Sequence, residues 1–266
     1  MSSPAEAVTR VERTRARRAR ILELVDERDF VSVRELSEEF GLSDMSVRRE
    51  LTAMEADGQI ARLRGGATRP RTVASSRQYA AGAQRNAATK IRIAKAAVAL
   101  IPEDSVVFFY SGSTVARTAA SVPDSLRESL TIVTNSLPII TEVSAWEDPH
   151  LVTIGGTYLA AYMANVGPQA IASLEPLSAD LAVVGCDGLT AERGLTTPHQ
   201  LVATIGTTMV KRAQRTIVVA DSTKVGRTGF TPICAIEDIH VLVTDTGADE
   251  RELELLRDRG IEVLVV

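Results

Sequence analysis

The sequence predicts an α/β protein in two parts: a small, mostly helical amino-terminal unit closed by a short hairpin, and a larger, mostly parallel α/β domain. Three observations predict it. Beyond residue 90, six short Val- and Ile-rich runs alternate with helical patterns, and near-continuous hydrophobicity marks strands buried on both faces between helix layers. Before residue 68, helix start and stop signals follow one another at Ser32/Glu35, at Gly41-Leu42-Ser43 and at Gly58. A chain of 266 residues, 45% hydrophobic, is long enough for one sizeable core and a small second domain. The expected boundaries are 13–68 for the first domain, 69–89 for a basic linker and 90–266 for the second.

In the first domain, Ile21, Leu22, Leu24 and Val25 fall on one side of a helix over Arg15 to Arg28. Ser32 and Glu35 form a capping-box pair, in which each side chain takes an orphan backbone amide of the other, so a second helix starts near Val33. Gly41 ends it, Leu42 plugs the turn and Ser43 caps a third helix over Asp44 to Asp57. That helix carries Val47, Leu51 and Met54 on its inner face. Its outer face shows Met45, Arg48, Arg49 and Thr52, with Ser43 and Ser46 at the amino end and Ser32 one helix earlier. Such a face can enter a major groove, where arginine pairs with guanine edges or with phosphates. Ile60 to Arg64 then alternates apolar with polar before Gly65-Gly66, as a hairpin does, and Arg62 and Arg64 would lie on the phosphate backbone. This is the pattern of a winged helix-turn-helix. The same spacing also fits a three-helix protein-binding module with a solvated charged face.

Charge is distributed unevenly. Residues 1–71 hold 14 basic and 13 acidic side chains, the remainder 16 and 21, and the stretch from Gly58 to Pro102 has nine basic residues and no acid. Such a run attracts phosphate or serves as a solvated linker. Cys186 and Cys234 are the only cysteines and form no metal-spaced or Cys-x-x-Cys pair, which excludes a disulfide framework and a zinc site; neither metal nor cofactor is expected. No window reaches the roughly 18 apolar residues that span a bilayer. The expectation is a cytoplasmic protein without a membrane partner.

In an open parallel sheet, ligands collect where strands end and helices begin. The predicted strands are Ser105 to Phe109, Leu130 to Val133, Leu151 to Ile154, Leu181 to Gly185, Thr216 to Ala220 and Val241 to Thr244. After the first comes Ser111-Gly112-Ser113-Thr114, which either wraps an anion at a helix start or is an ordinary capped turn. Asn135, Gly155-Gly156, Asp187-Gly188, Thr196-Thr197 and Lys224 follow at later strand ends. Asp187 can accept sugar hydroxyls or cap a loop. Lys224, one of four lysines, can hold phosphate or form a surface ion pair.

Residues 15–68, through Arg20-Ile21-Leu22-Glu23-Leu24, Phe40-Gly41-Leu42-Ser43, Met45-Ser46-Val47-Arg48-Arg49-Glu50-Leu51 and Arg64-Gly65-Gly66-Ala67, resemble the helix-turn-helix of the DeoR family of bacterial sugar-metabolism regulators. The strand-end motifs from Lys90 to about Asp245 resemble that family's sensor domain. The resemblance implies a larger domain similar in fold to ribose-5-phosphate isomerase, and a phosphate held by Ser111 to Thr114 and Lys224 with Asp187, Asn135 and Thr196 near the sugar. It also implies dimers or larger homo-oligomers on a double-stranded DNA operator, and repression of a carbohydrate operon relieved by a phosphorylated metabolite. The chain departs from the family pattern in four places. Glu50 stands for Asp, Tyr110 stands where an Asp commonly precedes the Ser-Gly-Ser loop, Cys186 replaces Ala, and Val202 to Thr208 lacks the usual Glu and Lys.

The rival reading is a sugar-phosphate isomerase-like enzyme with a DNA-binding head. The resembled isomerases carry a second acid directly after the residue matching Asp187, where this chain has Gly188, so no proton-shuttling pair is visible. His150, His199 and His240 read as loop or surface residues. No catalytic residues are assigned.

Overall fold

The computed structural model describes residues 14, 16–25, 30–56, 60–63, 65–68 and 76–266. The chain divides into two compact units, Met1–Ala74 and Ser75–Val266.

The first unit holds helix α1 over 16–25, strand β1 (Phe30–Ser32), helices α2 (Val33–Phe40) and α3 (Asp44–Ala56), and strands β2 (Ala61–Leu63) and β3 (Gly66–Thr68). The capping box is present: Ser32 Oγ accepts from Glu35 N at 3.1 Å and Glu35 Oε2 accepts from Ser32 N at 2.7 Å. Gly41 closes α2 in the left-handed region, φ 61°, where a Cβ is disfavoured. Ile21, Leu24, Val25, Leu36, Val47, Leu51, Met54 and Ile60 make one core. The hairpin has a third strand that the alternation did not reveal. β1 pairs antiparallel with β3, giving the order β1-β3-β2, and Val33 N donates to Gly65 O at 2.8 Å. Three residues are too few to show a period, so only pairing defines that strand.

The second unit opens with α4 (Ser76–Gln84) and α5 (Ala87–Val98). The basic linker expected over 69–89 is therefore helical from Ser76 on, and that part belongs to the larger unit. Its arginines mask an Ala-rich segment in which Ala is the best helix former.

Next come β4 (Val106–Phe109), α6 (Ser113–Ala120), α7 (Asp124–Arg127), β5 (Thr131–Thr134), α8 (Leu137–Val143), β6 (His150–Thr153), β7 (Thr157–Leu159), β8 (Ala164–Val166) and α9 (Pro168–Leu174). They are followed by β9 (Ala179–Val184), β10 (Gly188–Thr190), β11 (Gly194–Thr197), α10 (Gln200–Arg212), β12 (Ala213–Val219), a 3₁₀ turn at Ser222–Lys224 and β13 (Thr231–Cys234). A second 3₁₀ turn at Ile236–Asp238, β14 (Val241–Thr244), α11 (Glu250–Asp258) and β15 (Glu262–Val265) complete the unit.

The main sheet runs β15-β14-β12-β9-β4-β5-β6, with every pairing parallel. All six strands expected from the sequence lie in it, joined by β15. Along each central strand alternate residues serve opposite cores. Val107, Phe109, Leu181, Val183, Ile217 and Val219 face α5, α6 and α8. Phe108, Ala182, Val184 and Val218 face α9, α10 and α11. A strand with no wet side needs apolar residues throughout, which is why hydrophobicity was continuous rather than alternating. Two small sheets, β7-β8 and β10-β11-β13, lie outside this layer.

Leu51 is fully buried in the first unit's core. Leu51→Ala is expected to cost that unit about 2–5 kcal/mol, measured as lost amide protection over residues 16–68 in native-state hydrogen exchange.

Candidate functional site

In the first unit, α3 presents two unlike faces. Val47, Leu51 and Met54 are buried, whereas Ser43, Met45, Ser46, Arg48, Arg49 and Thr52 are exposed, Met45 at 81%. The entry to the helix is pinned. Ser46 N donates to Ser43 Oγ at 3.3 Å, and Ser37 Oγ on α2 donates to Asp44 Oδ1 at 2.8 Å. Glu50, half-buried, accepts from Arg17 Nε at 2.6 Å and so ties α3 to α1. Among the described residues Arg48 and Arg49 make no ion pair, and their guanidinium groups stay available to an external anion. Arg62 behaves differently from the expectation of a free wing arginine: its Nη1 donates to Thr52 Oγ1 at 2.9 Å and its backbone N donates to Glu55 Oε1 at 3.0 Å. Thr52 and Arg62 thus act as one polar unit joining β2 to α3. Ser32 Oγ is engaged in its cap, and Arg64 lies outside the described residues.

In the second unit, strand order decides where a ligand can bind. Going outward, β5 and β6 follow β4 on one side while β9, β12 and β14 follow on the other, so the order in which strands are added reverses between the parallel neighbours β4 and β9. Loops leaving those two strands diverge to opposite faces and leave a crevice at the switch point. Ser111 to Thr114 leaves β4 there and Gly185 to Asp187 leaves β9; Tyr110 N donates to Val183 O at 3.1 Å across the gap. Gly112 has φ 151°, ψ 151° and precedes α6, where backbone N–H groups lack helical partners. Ser111 Oγ is buried and meets no hydrogen-bond partner among the described residues.

Opposite that loop, Lys224 Nζ lies 3.8 Å from Asp187 Oδ1, and Asp187 Oδ2 accepts from Thr197 Oγ1 at 2.8 Å. Asp187, Thr197, Lys224 and the Ser111 loop thus come from four chain segments that the sequence placed far apart. Other expected members have different duties. Thr196 Oγ1 donates to Gly188 O at 3.1 Å and accepts from Gly229 N at 2.6 Å, so it holds loops together. Asn135 is fully buried; its Nδ2 donates to Asn165 O at 2.9 Å and only Oδ1 is without a partner among the described residues. Gly155 and Gly156 follow β6 at the sheet edge, two strands from β4, and a Cβ at Gly156 would come within 2.7 Å of Val166 O. Gly188 has no room for any side chain, because the carbonyl of Arg227 occupies the place of its Cβ. A second acid after Asp187 is therefore excluded sterically as well as by sequence.

Four further residues make contacts next to these loops: Tyr110 and Cys186 are two of the departures from the family pattern, whereas nothing in the sequence marked the pairing of Lys90 with Asp221. Tyr110 donates its hydroxyl to Val202 O at 2.8 Å, and its ring packs where a Cβ on Gly206 would stand 3.2 Å away. Burial, reinforced by Asp187, raises its pKa and keeps the phenol protonated. Burial likewise pushes the Cys186 thiol up, so that sulfur is not a ready nucleophile. Lys90 is the third. Its Nζ donates to Gly82 O at 2.6 Å and Arg85 O at 2.9 Å and lies 3.7 Å from Asp221 Oδ2, with both side chains buried. Burial lowers the Lys90 pKa, Asp221 opposes that shift, and Lys224 and Arg85 add to it. Asp221, the fourth, caps the 3₁₀ turn that carries Lys224 by accepting from Thr223 N at 3.1 Å. No group of His, Cys, Asp and Glu among the described residues is arranged to hold a metal ion, and no helix among them is long and apolar enough to cross a membrane.

A helix-turn-helix with an unpaired arginine face, followed by a doubly wound domain with a crevice at its switch point, defines a class: ligand-responsive transcriptional regulators. The particular family follows from comparison. Residues 17–73 match the DeoR-like helix-turn-helix domain and residues 85–246 the DeoR C terminal sensor domain. The chain belongs to the DeoR family of DNA-binding transcriptional regulators. It is 35% identical over 248 residues to the HTH-type transcriptional regulator GlpR of Haloferax volcanii, covering 93% of this chain and 96% of that protein. It is 30% identical over 235 residues to the transcriptional repressor AccR of Agrobacterium fabrum, covering 88% and 90%. These relatives are named as regulators, and this chain is a transcriptional regulator of the same family. Among solved structures, ribose 5-phosphate isomerase A of Methanocaldococcus jannaschii overlaps 53% of this chain and 55% of its own at 22% identity and a TM-score of 0.40. That overlap is partial.

Lys90→Ala strips the buried Asp221 carboxylate of its counter-charge. A loss of about 3–5 kcal/mol of stability is expected, because breaking one side of a buried pair leaves the other uncompensated; urea unfolding of the full chain measures it.

Proposed function

We propose that this protein represses a carbohydrate-metabolism operon and that a phosphorylated sugar or related metabolite, bound at the β4/β9 switch point, controls its grip on operator DNA. The observation that carries the reading is the loop Ser111 to Thr114 at the amino end of α6, whose buried Ser111 Oγ has no hydrogen-bond partner among the described residues, together with Lys224 beside Asp187 at the end of the neighbouring strands. Backbone amides at a helix start and a lysine point charge are the chemistry that recognises a phosphomonoester. Asp187 and Thr197 would meet hydroxyls on the carbon skeleton. Repression rather than activation is supported by the relative from Agrobacterium fabrum, named as a repressor.

On the DNA, Arg48 and Arg49 read the major groove or its phosphates from α3, with Ser43, Ser46 and Met45 at the leading end. Arg62 keeps Thr52 and β2 in register beside them, and Arg64, Ser32 and the wing contribute phosphate contacts. Two such heads on one operator require a homo-oligomer, because half-sites lie about one helical turn or a multiple apart.

The coupling route lies in α4. It is the first helix after the DNA-binding unit in the chain, it packs on α6, whose start is the phosphate loop, and its carboxyl end is held by Lys90. Lys90 in turn faces Asp221 on the turn that carries Lys224. An anion that draws in the Ser111 loop and Lys224 therefore acts on both attachments of α4. A coupling of about 1–3 kcal/mol suffices for regulation.

Thermal-shift screening of the full chain against phosphorylated sugars, followed by a gel shift with the responding compound, tests the reading; no response to any phosphorylated compound would remove it. Arg48→Ala combined with Arg49→Ala is expected to abolish operator binding while the thermal response to effector persists. Lys224→Ala is expected to weaken effector binding by about ten- to a hundredfold, the range for a hydrogen bond to a charged group, read by isothermal titration.

A further inference from the structure

We infer that Tyr162 and His199 are specificity-determining residues that read hydroxyl groups on the end of the effector away from its phosphate. The inference rests on the phosphate-site reading above and extends it to the other half of the ligand.

Tyr162 is held in place by backbone that has little freedom to move. The turn joining β7 to β8 is closed by Tyr162 N donating to Leu159 O at 3.2 Å and Met163 N donating to Ala160 O at 3.3 Å. Met163 adopts φ 46°, a left-handed conformation disfavoured for a non-glycine residue. Leu137 N fixes that residue from another element by donating to Met163 O at 2.8 Å. Strain that neighbouring structure over-determines is found where a side chain must be aimed.

The side chain so aimed meets the crevice. Tyr162 Oη lies 3.4 Å from Thr197 Oγ1, whose single proton goes to Asp187 Oδ2. Tyr162 must therefore donate to Thr197, which sets the direction of a chain from phenol to hydroxyl to carboxylate and leaves a lone pair on Tyr162 Oη. Burial pushes the phenol up to about 12, with Asp187 adding to the shift, so it stays protonated throughout the physiological range.

His199 precedes α10 and sets its ring edge-on to Tyr162, centroids 6.0 Å apart. Its Nδ1 is buried with no partner among the described residues. The ring therefore keeps a polar atom beside Tyr162 that no described protein group uses. Tyr162 Oη brings a lone pair and His199 a ring nitrogen, and a hydroxyl group, both donor and acceptor, can meet either. Asp187 Oδ1 takes a second hydroxyl, since Lys224 at 3.8 Å is beyond hydrogen-bond reach of it. The ligand class is a phosphomonoester whose carbon chain bears at least two hydroxyls. Two of the four tyrosines in the chain, with His199, gather at this one crevice.

The experiment is isothermal titration of the full chain with ethyl phosphate, ribose 5-phosphate, glucose 6-phosphate and glucitol 6-phosphate. Tyr162→Phe, which removes one oxygen and keeps the ring, is expected to weaken the tightest of the three polyhydroxylated esters about three- to tenfold and to leave ethyl phosphate unchanged. His199→Ala is expected to do the same, and His199→Gln, which restores a polar group at a similar reach, to recover most of the loss. Equal weakening of ethyl phosphate would make both residues merely structural and overturn the inference. Unchanged affinity for the polyhydroxylated esters would overturn it while the phosphate site stood. If wild-type protein binds none of the four compounds, the phosphate-site reading falls and this inference falls with it.

Discussion

The order in which strands are added to the sheet reverses between β4 and β9, and the placement of the loops in the larger unit depends on that reversal. Parallel strands that continued in one rotational sense would send successive loops to the same side and close the sheet edge. Here the loop after β4 leads to α6 on one face, while the residues after β9 lead to the β10-β11 hairpin on the other. The gap is bridged by a single backbone contact, Tyr110 N to Val183 O, before the loops part. Asp187 meets Thr197 and Lys224 because of this topology and for no reason visible in their local sequence.

The departures from the usual family pattern turn out to be neighbours. Tyr110, Val202 and Gly206 touch: the phenol bonds the Val202 carbonyl and its ring fills the space left by the missing side chain at Gly206. The buried hydroxyl is thereby satisfied. Glu50, a methylene longer than Asp, uses its reach to pair with Arg17 of α1.

The DNA-binding unit was legible almost residue by residue. Its signals are local: a capping box, a left-handed glycine and a helical period all act within four residues of one another. Strand β1 and the Arg62–Thr52 bond escaped, because both need a partner that is distant in sequence. In the sensor unit the six central strands were legible from continuous hydrophobicity, whereas the two small sheets, the edge strand β15 and the helix α4 were not. The expected site divided in a similar way. Asp187 and Lys224 adjoin and the Ser111 to Thr114 loop leads into α6, but Thr196 is spent on loop closure and Gly155-Gly156 lies out at the sheet edge. A glycine required for packing and one required for a ligand look the same in a sequence.

By itself the sequence determined the family, the order of elements and the outward arginine face of α3, since each is set by short-range rules of periodicity, capping and burial. Only the tertiary structure decided which strand ends adjoin, that Lys90 and Asp221 form a buried pair, and that Tyr162 stands between His199 and the Thr197–Asp187 pair. Those contacts join residues tens of positions apart, and no local propensity encodes them; they exist because packing both faces of one sheet fixes where its loops must go.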